Sequence, residues 1–196
     1  MNLYQKIYPK VISKLENNLP SWLYYHSTEH TKYVLEQAIF IAEKERVEKN
    51  DLYLLKIAAL YHDTGFIINR DEHEAISCEI ASKELKEYGL DSEEIEQICE
   101  MIMATKIPQN PTSNLAKILA DADLEYLGTD NFLNFSQSLY KELLHYTPDL
   151  SLDQWNEIQV KFISKHHYHT SYCKQNREPK KQKNLKLIMK QLNKVG

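Results

Sequence analysis

Helical periodicity runs nearly end to end through this chain and leaves no place for a sheet. In Thr31–Glu48 the apolar residues Val34, Leu35, Ala38, Ile41 and Ala42 recur at spacings of three and four, one face of a helix. Strand-like alternation bounded by turn dipeptides is absent. Glycine occurs only four times in 196 residues, so almost nothing interrupts the helices. The same scarcity excludes a Rossmann fingerprint or a Walker A loop, both of which need clustered glycines where backbone approaches phosphate. A chain like this that handles phosphate does so with side chains or a metal.

The periodic segments predict an all-α fold of about eight to ten helices in a single domain, residues 1–196. The expected helices are Leu3–Asn18, Thr31–Glu48, Leu52–His62, Glu72–Tyr88, Ser92–Thr105, Ser113–Leu127, Asn131–His145, Ser151–His169 and Pro179–Lys194. Leu52–His62 is apolar almost all round and therefore predicted to be central. Lys106–Thr112 contains two prolines and reads as a loop. Gly65, Gly89 and Gly128 each fall where a helix is expected to stop.

A net charge of −4 and a pI near 6.1 argue against a dedicated nucleic-acid binder. Three cysteines without CxxC spacing give neither a disulfide framework nor a thiolate zinc site. No apolar run approaches membrane-spanning length, and the charged N-terminal stretch does not read as a signal peptide, so the expected location is cytoplasmic. A homo-oligomer is compatible with the apolar stripes, and no residue pattern decides it.

Four places carry chemistry: His30, the pair His62-Asp63, the pair His73-Glu74, and Asp121-Ala122-Asp123. The run Ile57-Ala58-Ala59-Leu60-Tyr61 ends abruptly in an imidazole and a carboxylate. Polar groups at the end of a buried helix must be paired or bind a metal, because unpaired burial costs several kcal/mol. Asp121 and Asp123 interrupt another apolar helix in the same way. Imidazole and carboxylate ligands without thiolate suit one divalent ion from the set Mn, Fe, Co, Ni, Zn and Mg.

The opening Tyr25-His26-x-x-x-His30-Thr31, the core Ala58-Ala59-Leu60-x-His62-Asp63 and the stretch Asp121-Ala122-Asp123-Leu124-x-x-Leu127-Gly128 together resemble the HD-domain superfamily of metal-dependent phosphohydrolases. The resemblance covers residues 22–128; residues 129–196 form a helical C-terminal extension. It implies a helical bundle with a divalent metal held between helices by His30, His62, Asp63 and Asp123. Asp121 fits the ligand position nearly as well as Asp123. Residues two apart on a helix point about 200° apart, so only one of them can be a primary ligand. Dinuclear members carry further histidines between the His-Asp pair and the last aspartate; here only His73 lies in that interval, which favours one ion. The implied activity is hydrolysis of a small phosphate ester or nucleotide by metal-activated water, with Asp63 at the catalytic centre. The alternative is a non-catalytic metal- or nucleotide-binding regulator of the same fold.

Other residues have two readings each. Glu74 is a general acid or base above the metal, or an acidic residue favoured by a helix N-terminus. His26 orients the segment before His30 or faces substrate, and His73 is grouped with it. Lys106 and Arg177 are candidate phosphate contacts, or solvated cations. His166, His167 and His169 suggest a metal cluster but read better as the polar tips of an amphipathic helix. Lys174–Lys194 holds eight Lys/Arg against one acid, read as a solvated face rather than a nucleic-acid site. Tyr25 and Tyr61, beside the motifs, are candidates to line the pocket.

Overall fold

A computed structural model describes residues 3–192. It contains α1 (Leu3–Asn18), α2 (Thr28–Lys44), α3 (Lys49–Tyr61), α4 (His73–Glu87), α5 (Ser92–Met103), α6 (Asn114–Asp123), α7 (Phe132–Tyr146), α8 (Leu152–Lys165), α9 (Ser171–Asn176) and α10 (Glu178–Leu192), with 3-10 turns at Thr64–Ile67 and Glu125–Gly128. There is no strand among the described residues. The expected end of the last helix, Lys194, lies outside them.

Side-chain caps start several of these helices. Ser27 accepts from the His30 amide, Ser113 from the Ala116 amide, and Asp91–Glu94 and Ser151–Gln154 form reciprocal capping boxes. α3 is the hub: Ile57 to Tyr61 are fully buried, and the helix packs against α1, α2, α4, α5 and α6. A second apolar cluster joins Tyr25, Leu124, Tyr126, Leu127 and Phe132 to Ile163, Leu185 and Ile188 from the C-terminal helices. Leu124 directly follows Asp123, so α6 ends where the two clusters adjoin.

Two elements depart from the sequence reading. The expected helix Ser113–Leu127 ends at Asp123 and continues as a 3-10 turn. The expected helix Ser151–His169 ends at Lys165, because His166 is extended (φ −68°, ψ 135°). The cause of the second lies elsewhere in the chain. The Asp121 carboxylate accepts from the amides of His169 and Thr170 at 2.8 Å each, and Thr170 then caps α9. A continued helix would turn those amides inward. His166 and His169 therefore share no helical face, which corrects that expectation.

Glycine also has a different role from the one expected. Gly89 does close α4, with φ 85°. Gly65 instead sits inside a 3-10 turn, where an added Cβ would lie 2.0 Å from the carbonyl oxygen of His73. That close approach sets the first turn of α4 against the His62-Asp63 segment. Gly65→Ala is expected to destabilise the protein by about 3 kcal/mol in urea unfolding, an overpacking cost. Gly89→Ala, strained in backbone but with open space around the new methyl, should cost only about 1 kcal/mol. Equal costs would contradict this account.

Candidate metal centre

α2 supplies His30 from its first turn, the end of α3 supplies His62 and Asp63, and the last residue of α6 supplies Asp123. One ligand atom each from His30, His62 and Asp123 lie within 4.8 Å of one another. His30 Nε2 is 3.0 Å from Asp123 Oδ1 and 3.5 Å from Asp63 Oδ2. His62 Nε2 is 3.2 Å from Asp63 Oδ2 and 3.8 Å from Asp123 Oδ1. All four residues thus face one point, and His30, His62 and Asp63 are buried.

The donor set fits a cation. His62 Nδ1–H donates to the Ala59 carbonyl at 2.8 Å, which fixes the tautomer and leaves the Nε2 lone pair facing inward. His62 Nε2 and Asp63 Oδ2 are both buried and neither has a hydrogen-bond partner. Two unpartnered acceptors so close together call for a positive charge between them. Without a cation the same pair attracts a proton to Nε2 instead. Burial opposes charge on His62, but the carboxylates of Asp63 and Asp123 outweigh it and hold the imidazole at about 9. Burial likewise opposes the Asp63 carboxylate, yet His62, His26 and His30 keep it well below the usual carboxylate range.

Asp121 points elsewhere. It accepts from the His169 and Thr170 amides and from Thr170 Oγ1 at 2.6 Å, so it ties the C-terminal segment to α6. Asp121→Ala should retain metal while losing about 3 kcal/mol of stability, since the buried Thr170 amide and hydroxyl and the half-buried His169 amide lose their acceptor. Coincident loss of metal in the folded variant would reverse the assignment of the two aspartates.

Around the four residues lies a ring of further groups. His73 Nε2 sits 3.6 Å from Asp63 Oδ1 and 3.5 Å from Glu74 Oε1, with its Nδ1–H on the Arg70 carbonyl. Glu74 is buried. Phe66 packs against two imidazoles, with ring centroids 4.1 Å from both His26 and His73, which are themselves 6.1 Å apart. His26 Nδ1 is 2.5 Å from Glu142 Oε1, while Glu142 Oε2 accepts from the amides of Tyr25 and His26. Tyr25 packs its ring 4.5 Å from His30. Tyr61 is turned away and donates to Glu84.

The two cations singled out as phosphate contacts are paired. Lys106 Nζ bonds Glu72 at 2.5 Å, at the residue just before His73. Arg177 donates to the buried Glu125, which also accepts from Tyr33. Nor is the C-terminal basic stretch a uniformly solvated face: Lys180 pairs with Asp130, and Lys181 is buried against the His166 carbonyl at 2.6 Å. Glu142 and Phe66 were not anticipated. Glu142 follows Lys141 in an amphipathic helix and looks like a surface acid, and its partners lie 116 and 117 positions away.

Fold and site together define an all-α protein with a histidine–carboxylate centre held between three helices. The HD-domain family model matches residues 28–125, half of the chain, and the chain belongs to that family. The chain is also similar over its full length to the full chain of a solved structure from an uncultured Thermotogales bacterium, described as a predicted HD superfamily hydrolase, with 20% identity and a TM-score of 0.62. A search of curated proteins finds no match. No described helix is long and apolar enough to cross a membrane.

Proposed function

We propose that the protein is a metal-dependent phosphohydrolase acting on a small phosphate ester or nucleotide. The observation that carries this reading is the convergence of His30, His62 and Asp123, with Asp63 beside both imidazoles, and two buried side-chain atoms left unpartnered. Membership of the HD-domain family supports it, as does the hydrolase description of the structural relative. In this reading the four residues hold one divalent ion. Such an ion supplies Lewis acidity toward a phosphoryl oxygen and brings the pKa of water down to about 7.

The chain's own groups do the remaining work. His62 and Asp63 enter from one helix end, so their relative position is fixed by α3 and by the Ala59 carbonyl. Glu74, buried beside His73, accepts a proton from water or delivers one to the leaving oxygen. His26 and His73, both packed against Phe66, present imidazoles to the anionic substrate.

The test pairs elemental analysis with a screen of phosphate esters and nucleotides across Mn²⁺, Co²⁺, Ni²⁺ and Mg²⁺. About one ion per chain and turnover of at least one phosphate ester are expected. Metal bound in full without turnover of any compound would leave a non-catalytic regulator and end the enzyme reading.

A further inference from the structure

A second cleft lies apart from the metal centre, between the loop after α5, the exposed face of α8 and the extended segment at 166–169. Its volume is about 460 Å³. Ile107, Pro108, Ile158 and Phe162 form apolar walls, and Lys161, Lys165 and His167 stand at its edge with no acidic residue in the lining. Ile107 and Ile158 are 50% and 47% exposed, although they belong to different elements and flank the same space. Neither Lys161 nor Lys165 has a carboxylate partner among the described residues.

Two lining residues also carry polar atoms without partners. Lys181 Nζ lies 3.2 Å from His166 Nδ1 and donates to the His166 carbonyl at 2.6 Å. An ammonium can only donate, so Nδ1 accepts and the ring proton sits on Nε2. Burial and the Lys181 charge push the His166 pKa down to about 3, so the ring is neutral. Its Nε2–H is buried and donates to nothing. Gln109 donates its amide to the Ala120 carbonyl at 2.8 Å, while its own Oε1, also buried, accepts from nothing. One lining residue therefore has a spare donor and another a spare acceptor, beside unpaired cations and apolar walls.

From these features we infer that the cleft is a binding site for a small aromatic carboxylate. The flat body lies between Phe162, Pro108 and Ile158, the carboxylate meets Lys161 and Lys165, and the His166 and Gln109 side chains reorient slightly to meet polar atoms on the ligand. The site is separate from the metal centre. None of His30, His62, Asp63 and Asp123 lines it, and Asp121, which the His169 amide bonds, points about 200° around α6 from Asp123.

Indole-3-acetate is a suitable probe, because it combines a ring, an N–H donor and a carboxylate. Titration of the full chain, followed by methyl and imidazole NMR, should give saturable shifts at Ile158, Ile107 and His166. Indole-3-acetamide, which lacks the charge, and acetate, which lacks the ring, should each bind at least about tenfold more weakly. The double substitution Lys161→Glu and Lys165→Glu, at exposed positions, should weaken indole-3-acetate by a similar factor. Absence of saturable shifts, equal binding of the amide, unchanged affinity in the double variant, or shifts confined to His26 and His73 would each overturn the proposal. None of these readouts depends on phosphohydrolase turnover.

Discussion

Replacing Asp63 with alanine is expected to abolish retention of the proposed metal. Asp63 contributes the carboxylate oxygen 3.2 Å from His62 Nε2 and 3.5 Å from His30 Nε2, and that oxygen has no other partner. Removing it leaves two buried imidazoles facing Asp123 alone. Loss of an outer-shell partner costs metal affinity about 10- to 100-fold, and loss of a direct ligand should exceed the upper figure. The proposed phosphohydrolase activity should fall with it. Elemental analysis after dialysis against a weak chelator reads the first effect. Full metal content in a folded Asp63→Ala protein would remove Asp63 from the ligand set.

Glu142 should have the next largest influence, although it belongs to none of the motifs. Its carboxylate serves one imidazole and two backbone amides. Glu142→Leu orphans both amides and should cost about 3 kcal/mol in unfolding experiments. Glu142→Gln keeps an acceptor for the amides and removes only the charge; kcat/KM should drop by about 10- to 100-fold.

The pH dependence has a definite sign. Burial opposes charge on His26, but Glu142, together with Asp63 and Asp123, outweighs it and raises His26 above its ordinary 6.5. Burial also opposes the Glu142 carboxylate, yet His26 and the two amides lower it below its ordinary 4.5. The His26 contribution to stability is complete below 6.5 and fades as pH rises through the raised value. The Glu142 contribution is complete above 4.5 and fades as pH falls through the lowered value. The melting-temperature gap between wild type and Glu142→Gln should therefore be widest between pH 4.5 and 6.5. In activity, the alkaline limb of the variant should move to lower pH, because an imidazole without its carboxylate gives up its proton sooner. An unmoved limb would separate His26 from substrate binding.

Much of this was legible in the residues and some of it could not be. Spacing of apolar residues located the helices, because each helix must turn one face to a common core. The His62-Asp63 pair stood out because polar atoms ended the apolar run Ile57–Tyr61. The choice between Asp121 and Asp123 was open for a physical reason. Both interrupt the same apolar run, and what separates them is the pair of amides at 169 and 170, distant in sequence. The same remoteness hid Glu142 and the partners of Lys106 and Arg177, and it explains the overlong reading of α8. Local pattern reports what a segment prefers; pairing across dozens of residues decides which carboxylate stays free for a metal.

The residues that identify the family and the residues that hold it together are distributed differently. Every candidate ligand lies before Leu124. Yet Asp121 is tied to Thr170, Glu125 to Arg177, the Leu127 and Thr129 carbonyls to Asn184, and the Tyr25-His26 backbone to Glu142. A fragment cut after Gly128 would keep the whole diagnostic pattern and lose each of those clamps. The recognisable segment is thus a set of teeth without the jaw: the last third of the chain, which carries no candidate ligand, fixes the spacing at which the rest could grip an ion.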